Sequence, residues 1–139
     1  MFGKAYVPAE VDEELRKGRE EGIELPDLEE VDFIEVIEAR ETPLTKLVRD
    51  LGKGETAVIL LGLENPNSLL VLDDYLARRV ARELGVKVTG TAGILISAKQ
   101  EGLIEAVKPY LDKLEDLGFY LAPKHKSLIL EEAGESRDR

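Results

Sequence analysis

Short apolar runs alternate with amphipathic helical stretches along most of this chain, and that alternation limits the possible folds more than any other feature. Residues 69–91, LLVLDDYLARRVARELGVKVTGT, contain the pattern in full. An apolar run, Leu69 to Leu72, ends at Asp73-Asp74. Leu76, Val80 and Leu84 then recur at helical spacing, Gly85 stops the helix, and Val86 to Thr89 forms a second short run. Apolar residues three to four apart mark one face of a helix, whereas a short unbroken run suits a strand covered on both faces. Strands that alternate with helices build parallel sheets with helices packed on them. The expected fold is α/β, a parallel sheet flanked by helices in three layers, with Leu69–Leu72 buried on both faces.

The remaining segments fit the same scheme. Ala5 to Val7 is a strand end closed by Pro8, and Val11 and Leu15 lie on one face of a helix spanning Ala9 to Glu20. Gly22 and Pro26 end that helix, and the acidic stretch Asp27–Asp32 makes a surface connection. FIEVI, Phe33 to Ile37, reads as an edge strand. Helices follow at Leu44–Leu51, entered at Thr42-Pro43, and at Glu55–Leu63, and ENPNS at 64–68 is a turn. TGTAG at 89–93 leads into a helix over Ile94–Gln100, followed by helices over Leu103–Leu117 and Pro123–Ala133. One domain, residues 1–134, with a polar tail, 135–139, accounts for the 139 residues.

Composition removes several functional classes. There is no cysteine, so thiolate catalysis, disulfides and zinc-cysteine sites are excluded, and a lone histidine, His125, makes a Ser-His-Asp triad unattractive. No apolar run approaches the ~20 residues that span a bilayer, and the start has no secretory pattern, so a cytoplasmic protein is expected. Charged residues form 35% of the chain with one methionine and no tryptophan, the usage of proteins from hyperthermophiles. The net charge of −10 repels nucleic acid, so a nucleic-acid substrate would require divalent cations or a local basic strip.

Ligands of open parallel sheets sit beyond the carboxyl ends of the strands. Asp73 emerges there directly after an apolar run, with Asp74 following as a helix N-cap, Glu14 lying in the helix after Pro8, and Glu55 opening the helix after Gly54. Each has a plainer role as a cap or a partner of the helix dipole. TGTAG can form an anion-binding turn or simply let strand and helix pack closely. Arg78, Arg79 and Lys99 could meet phosphates, or could be surface ion-pair partners.

Taken together, VPAEVDEEL, LGKGETAVILLGL, LLVLDDYLARRVARELGVKVTGTAGILISAKQEGLI and LGFYLAPKHKSLILEEAGE resemble successive blocks of PIN-like proteins related to VapC toxins. The resemblance covers nearly the whole chain and is most specific from Leu-Asp-Asp to Ala-Lys. It implies a ribonuclease dependent on Mg²⁺ or Mn²⁺, with Glu14, Asp73 and Glu55 as catalytic residues. Glu14, Asp73 and Asp74 become metal ligands, and Thr91, Arg78 and Lys99 lie near substrate. RNA, an antitoxin-like protein and a second copy of the chain are the implied partners. The family opens with an apolar strand carrying D-[ST]-[ST], whereas Met1-Phe2-Gly3 falls where the following helix should end. The central strand and first aspartate are therefore expected to be missing, leaving a chain with little or no activity. Its exposed sheet edges would favour self-association or a rearranged sheet. Two other readings stand beside it: a non-catalytic binding or assembly module, and a phosphate-ligand-binding domain built on TGTAG.

Overall fold

A computed structural model describes residues 3–39 and 51–135, and the helix expected at Leu44–Leu51 lies, apart from Leu51, outside the described residues. The chain forms two compact units, Phe2–Thr89 and Gly90–Arg139.

In the first unit β1 (Ala5–Pro8) runs straight into α1 (Ala9–Glu20). Pro8 makes both possible, because its φ of −63° suits an extended residue and a helix entry alike. The acidic connection contains one 3-10 turn (Leu28–Glu30) whose Leu28 is buried, and β2 (Ile34–Ile37) pairs parallel with β1, Ala5 opposite Ile34. Next come α2 (Lys53–Glu64), β3 (Leu69–Val71), α3 (Tyr75–Glu83) and β4 (Lys87–Thr89), with β3 and β4 parallel and Leu70 opposite Val88. The turn into β3 carries Asn67 at φ 72°, a left-handed conformation that asparagine tolerates better than most residues.

The mixed α/β class with parallel strands holds, but the sheet is in two pieces. Among the described residues, β1 pairs with β2 and β3 with β4, and no ladder joins the two pairs. The alternative of neighbouring strands closing together is therefore not what these residues adopt. The expectation that Leu69–Leu72 is buried on both faces is also corrected. Leu70 and Leu72 are 4% and 6% exposed, whereas Leu69 and Val71 are 41% and 47% exposed. Successive strand residues point to opposite faces, and here one face alone is packed.

That packed face is the core: Ile59 of α2, Leu70, Leu72, and Ala77 and Ala81 of α3. Each fully buried leucine or isoleucine contributes about 1.5–3 kcal/mol. Gly62 lets α2 lie directly on β3, since a Cβ there would overlap Leu70 Cδ1 and stand 3.1 Å from Val86 Cγ1.

The second unit is helical: α4 (Thr91–Gln100), α5 (Lys108–Asp116) and α6 (Pro123–Glu132). α4 begins three residues earlier than expected. Thr91, Ala92 and Gly93 are helical, with Gly90 as N-cap and Ile94 N–H donating to Gly90 O, so TGTAG is a helix start and not an open turn. α5 begins five residues later than expected because Pro109 lacks an N–H and is tolerated in a first turn but not in a helix interior. Its Leu111 and the N-cap Val107 are buried, at 1% and 0% exposure.

Glu135 anchors this unit. Its carboxylate accepts hydrogen bonds from the N–H groups of Val107 (2.7 Å) and Lys108 (3.1 Å) and pairs with Lys99 Nζ at 3.0 Å. Burial pushes the carboxyl upward, but the Val107 N–H, Lys99 and the Lys108 N–H together outweigh it and hold Glu135 below the usual carboxylate range. On the surface Lys108 and Lys126 lower Asp112 in the same way.

Candidate functional site

The first unit contains a cavity of about 740 Å³ between β1 and β3, lined also by α1, α2, Ile37 of β2 and the turn before β3. Glu14, Glu55, Asp73 and Asp74 all line it. Four carboxylates placed at a strand end or a helix start by sequence pattern therefore face one space.

Glu14 reaches it from the second turn of α1. A Cβ on Gly54 would stand 3.0 Å from Glu14 Oε1, so the missing side chain lets this carboxylate approach the first turn of α2. The N-terminal end of a helix carries partial positive charge from its unpaired N–H groups, which favours an anion there. Glu14 is exposed and makes no hydrogen bond or ion pair with any described residue.

Glu55, at the third position of α2, folds back so that Oε1 accepts from Gly52 N–H at 2.9 Å. A Cβ on Gly52 would lie 2.5 Å from that oxygen, so glycine at 52 makes room for the arrangement. The two glycines around Lys53 thus have separate tasks: Gly52 accommodates Glu55 and Gly54 accommodates Glu14.

Asp73 and Asp74 sit where β3 hands over to α3. Asp74 is the N-cap, its Oδ2 accepting from Ala77 N–H at 2.9 Å. Arg78 folds back from α3, and its Nη1 donates to Leu72 O (3.0 Å) and Asp73 O (2.8 Å). These bonds satisfy carbonyls at the end of a strand and fix the backbone that presents both aspartates. Arg78 therefore has a positioning geometry, while Arg79 makes a surface pair with Glu83 at 3.7 Å.

Thr91 and Lys99 belong to the other unit. Lys99 Nζ donates to Ala133 O at 2.6 Å and pairs with Glu135, so its charge is committed within that unit. His125 is exposed on α6. The sequence reading did not single out Asp12, 9% exposed on α1 and paired with Arg16 at 3.0 Å. The i,i+4 spacing of that pair was visible in the sequence, but its burial was not.

The donor chemistry around the cavity fits a hard divalent cation, since all four groups are carboxylates. Glu55 and Asp74 each have one oxygen engaged by a backbone N–H, and Glu14 and Asp73 line the same cavity from α1 and from the end of β3. Among the described residues no three acidic or histidine side chains form a metal-sized group. A pair of carboxylates still suits Mg²⁺, which is commonly held by one or two while keeping several waters.

The first unit is thus a parallel α/β unit in which four acids line one cavity between strands. The chain matches the family described as DUF3368, PIN domain, over residues 1–135, and it belongs to that family, whose fold is nuclease-like. No match is found among curated proteins or among solved structures. No helix of the described residues is long and apolar enough to cross a membrane.

Proposed function

We propose that this protein is a divalent-cation-dependent phosphodiesterase of the PIN family, acting on RNA and related to VapC-type toxins. One observation carries the reading: Glu14 and Asp73, on different elements and far apart in sequence, line the same cavity. Glu14 and Asp73 would hold Mg²⁺ or Mn²⁺, with Asp74 and Glu55 at the margin. When bound, the cation supplies an activated water and charge neutralisation at the phosphate. Arg78 keeps the two aspartates in place, and Gly54 keeps Glu14 close to α2. With a net charge of −10 the protein needs that cation to bring an RNA phosphate to the carboxylates. Thr91 would act toward substrate, Lys99 being held by Ala133 O and Glu135, with an antitoxin-like protein and a second copy of the chain as partners in a cytoplasmic setting. Residues 1–134 would work as one domain.

The test is cleavage of a labelled single-stranded RNA with Mn²⁺, with Mg²⁺ and with EDTA. For a chain expected to have little activity, the reading expects weak cleavage that depends on Mn²⁺ and is lost in Asp73→Asn. Cleavage in EDTA, or equal cleavage by Asp73→Asn, counts against it.

A second reading, a non-catalytic binding module on the same fold, is favoured by the lack of a three-ligand group among the described residues. It expects no cleavage with any cation.

A further inference from the structure

We infer that the outer face of α3, marked by Tyr75, Arg79 and Arg82 with Lys87 just beyond the helix, binds single-stranded RNA beside the candidate cation site. The inference rests on RNA as the substrate class of the proposed function and adds where the strand lies.

Helical spacing puts these side chains together. Tyr75, Arg79 and Arg82 are four and three residues apart, so they form one stripe, while the buried Ala77 and Ala81 mark the opposite face against the core. Tyr75 is 69% exposed. Arg82 and Lys87 are exposed and make no ion pair among the described residues. Arg79 is paired only with Glu83, at 3.7 Å, and both side chains are open to solvent. An exposed pair of that kind is weak and screened by salt, so a phosphate can replace the carboxylate. Arg78 is occupied with Leu72 O and Asp73 O and stays outside the stripe.

Charge and position select the occupant. Residues 75–87 contain four cations and one acid, in a chain where 29 acids outnumber 19 lysines and arginines. This is the local basic strip that a chain of net charge −10 needs if it is to hold nucleic acid. The strip starts at the cavity rim, because Tyr75 directly follows Asp74, the N-cap of α3 and a lining residue. From there it runs about 10 Å to Arg82, at ~1.5 Å per residue. A strand held along α3 therefore ends against the carboxylates. Arginine forks suit phosphates, and an exposed aromatic face stacks on any base. An acidic peptide would satisfy the arginines but leave Tyr75 without a partner.

The probe is a fluorescent single-stranded RNA oligonucleotide, titrated into the full chain in EDTA to stop cation-dependent cleavage and followed by anisotropy at several salt concentrations. Saturable binding is expected. Arg79→Gln combined with Arg82→Gln should weaken it at least tenfold. The slope of log affinity against log salt should fall by about 1.4, ~0.7 for each lost phosphate contact. Tyr75→Leu should weaken binding at least fivefold with the slope unchanged, because it removes stacking and no charge. Lys17→Gln combined with Lys113→Gln, on α1 and α5, changes the net charge equally and should leave affinity within twofold. All of these side chains are exposed, and thermal melting confirms that each variant folds. No binding by the parent chain, equal weakening by the control pair, an unchanged slope in the arginine variant, unaffected binding in Tyr75→Leu, or equally tight binding of polyglutamate overturns the inference. So does self-association that the arginine variant abolishes, since the face then holds a second copy. The expected responses in a chain that fails to cleave RNA with Mn²⁺ uphold the inference and remove the nuclease reading. Cleavage undiminished in the arginine variant does the reverse.

Discussion

A Cβ on Gly54 would stand 3.0 Å from Glu14 Oε1 and 3.2 Å from Val11 Cγ2, so the contact between α1 and α2 depends on a residue without a side chain. Gly54→Ala gains up to ~1 kcal/mol of helix propensity but crowds the half-buried Val11 and displaces the exposed Glu14 carboxylate, at a cost of about 1–3 kcal/mol. The net expectation is a lower melting temperature and a displaced Glu14 carboxylate. Adding Glu14→Ala to Gly54→Ala should recover part of the loss, because the two sites are in contact and their effects are not additive. Equal losses with and without Glu14 would show that the carboxylate is not what Gly54 accommodates.

Gly62 has a purely structural task. Gly62→Ala places a methyl group against Cδ1 of Leu70, 4% exposed in the core, and 3.1 Å from Val86 Cγ1. A loss of about 1–3 kcal/mol in denaturant unfolding is expected. Leu70→Val in the same chain should relieve part of it.

Much of this architecture was legible in the sequence because the signals were local. Pro8 between an apolar stub and an amphipathic run gave α1 its observed bounds, and the acidic pair after Leu72 gave both the β3 end and the Asp74 cap. Three features were not legible. The bare outer face of β3 and the separation of the strands into two pairs depend on which strands meet, which no local pattern encodes. The late start of α5 was signalled by Pro109, but apolar residues before it mimicked helical spacing. Arg78 was read as either a phosphate contact or a surface ion-pair partner, and its bonds to the strand-end carbonyls are a role that charge and spacing do not signal.

Replacing Arg78 tests that positioning geometry. Arg78→Ala removes hydrogen bonds to Leu72 O and Asp73 O, and a charged donor to a carbonyl contributes about 1.5–3 kcal/mol. The variant should unfold more readily and bind Mn²⁺ more weakly. Arg78→Lys should restore part of the stability, since a single ammonium does not reproduce a planar fork. Weaker RNA binding with unchanged stability would return Arg78 to a phosphate-contacting role.

Glu135 makes the second unit acid-sensitive. Its carboxyl is held below the usual range in the folded protein, so the stabilisation is complete above the ordinary glutamate pKa of about 4.3. It is lost as pH falls through the lower folded value, where the unfolded state already binds the proton. Amide exchange at Val107 and Lys108 should therefore accelerate below about pH 4. Glu135→Gln should show fast exchange at neutral pH and a smaller pH dependence. Unchanged exchange in the variant would mean that the carboxylate does not hold the start of α5.

The central claim, that Glu14 and Asp73 share a cation, is tested most directly by Mn²⁺ titration followed by electron paramagnetic resonance. The account predicts one bound Mn²⁺ per chain with affinity on the order of 0.1–1 mM, abolished by Glu14→Gln and by Asp73→Asn alike. Bound Mn²⁺ that persists in both variants, or none in the parent protein, would contradict it.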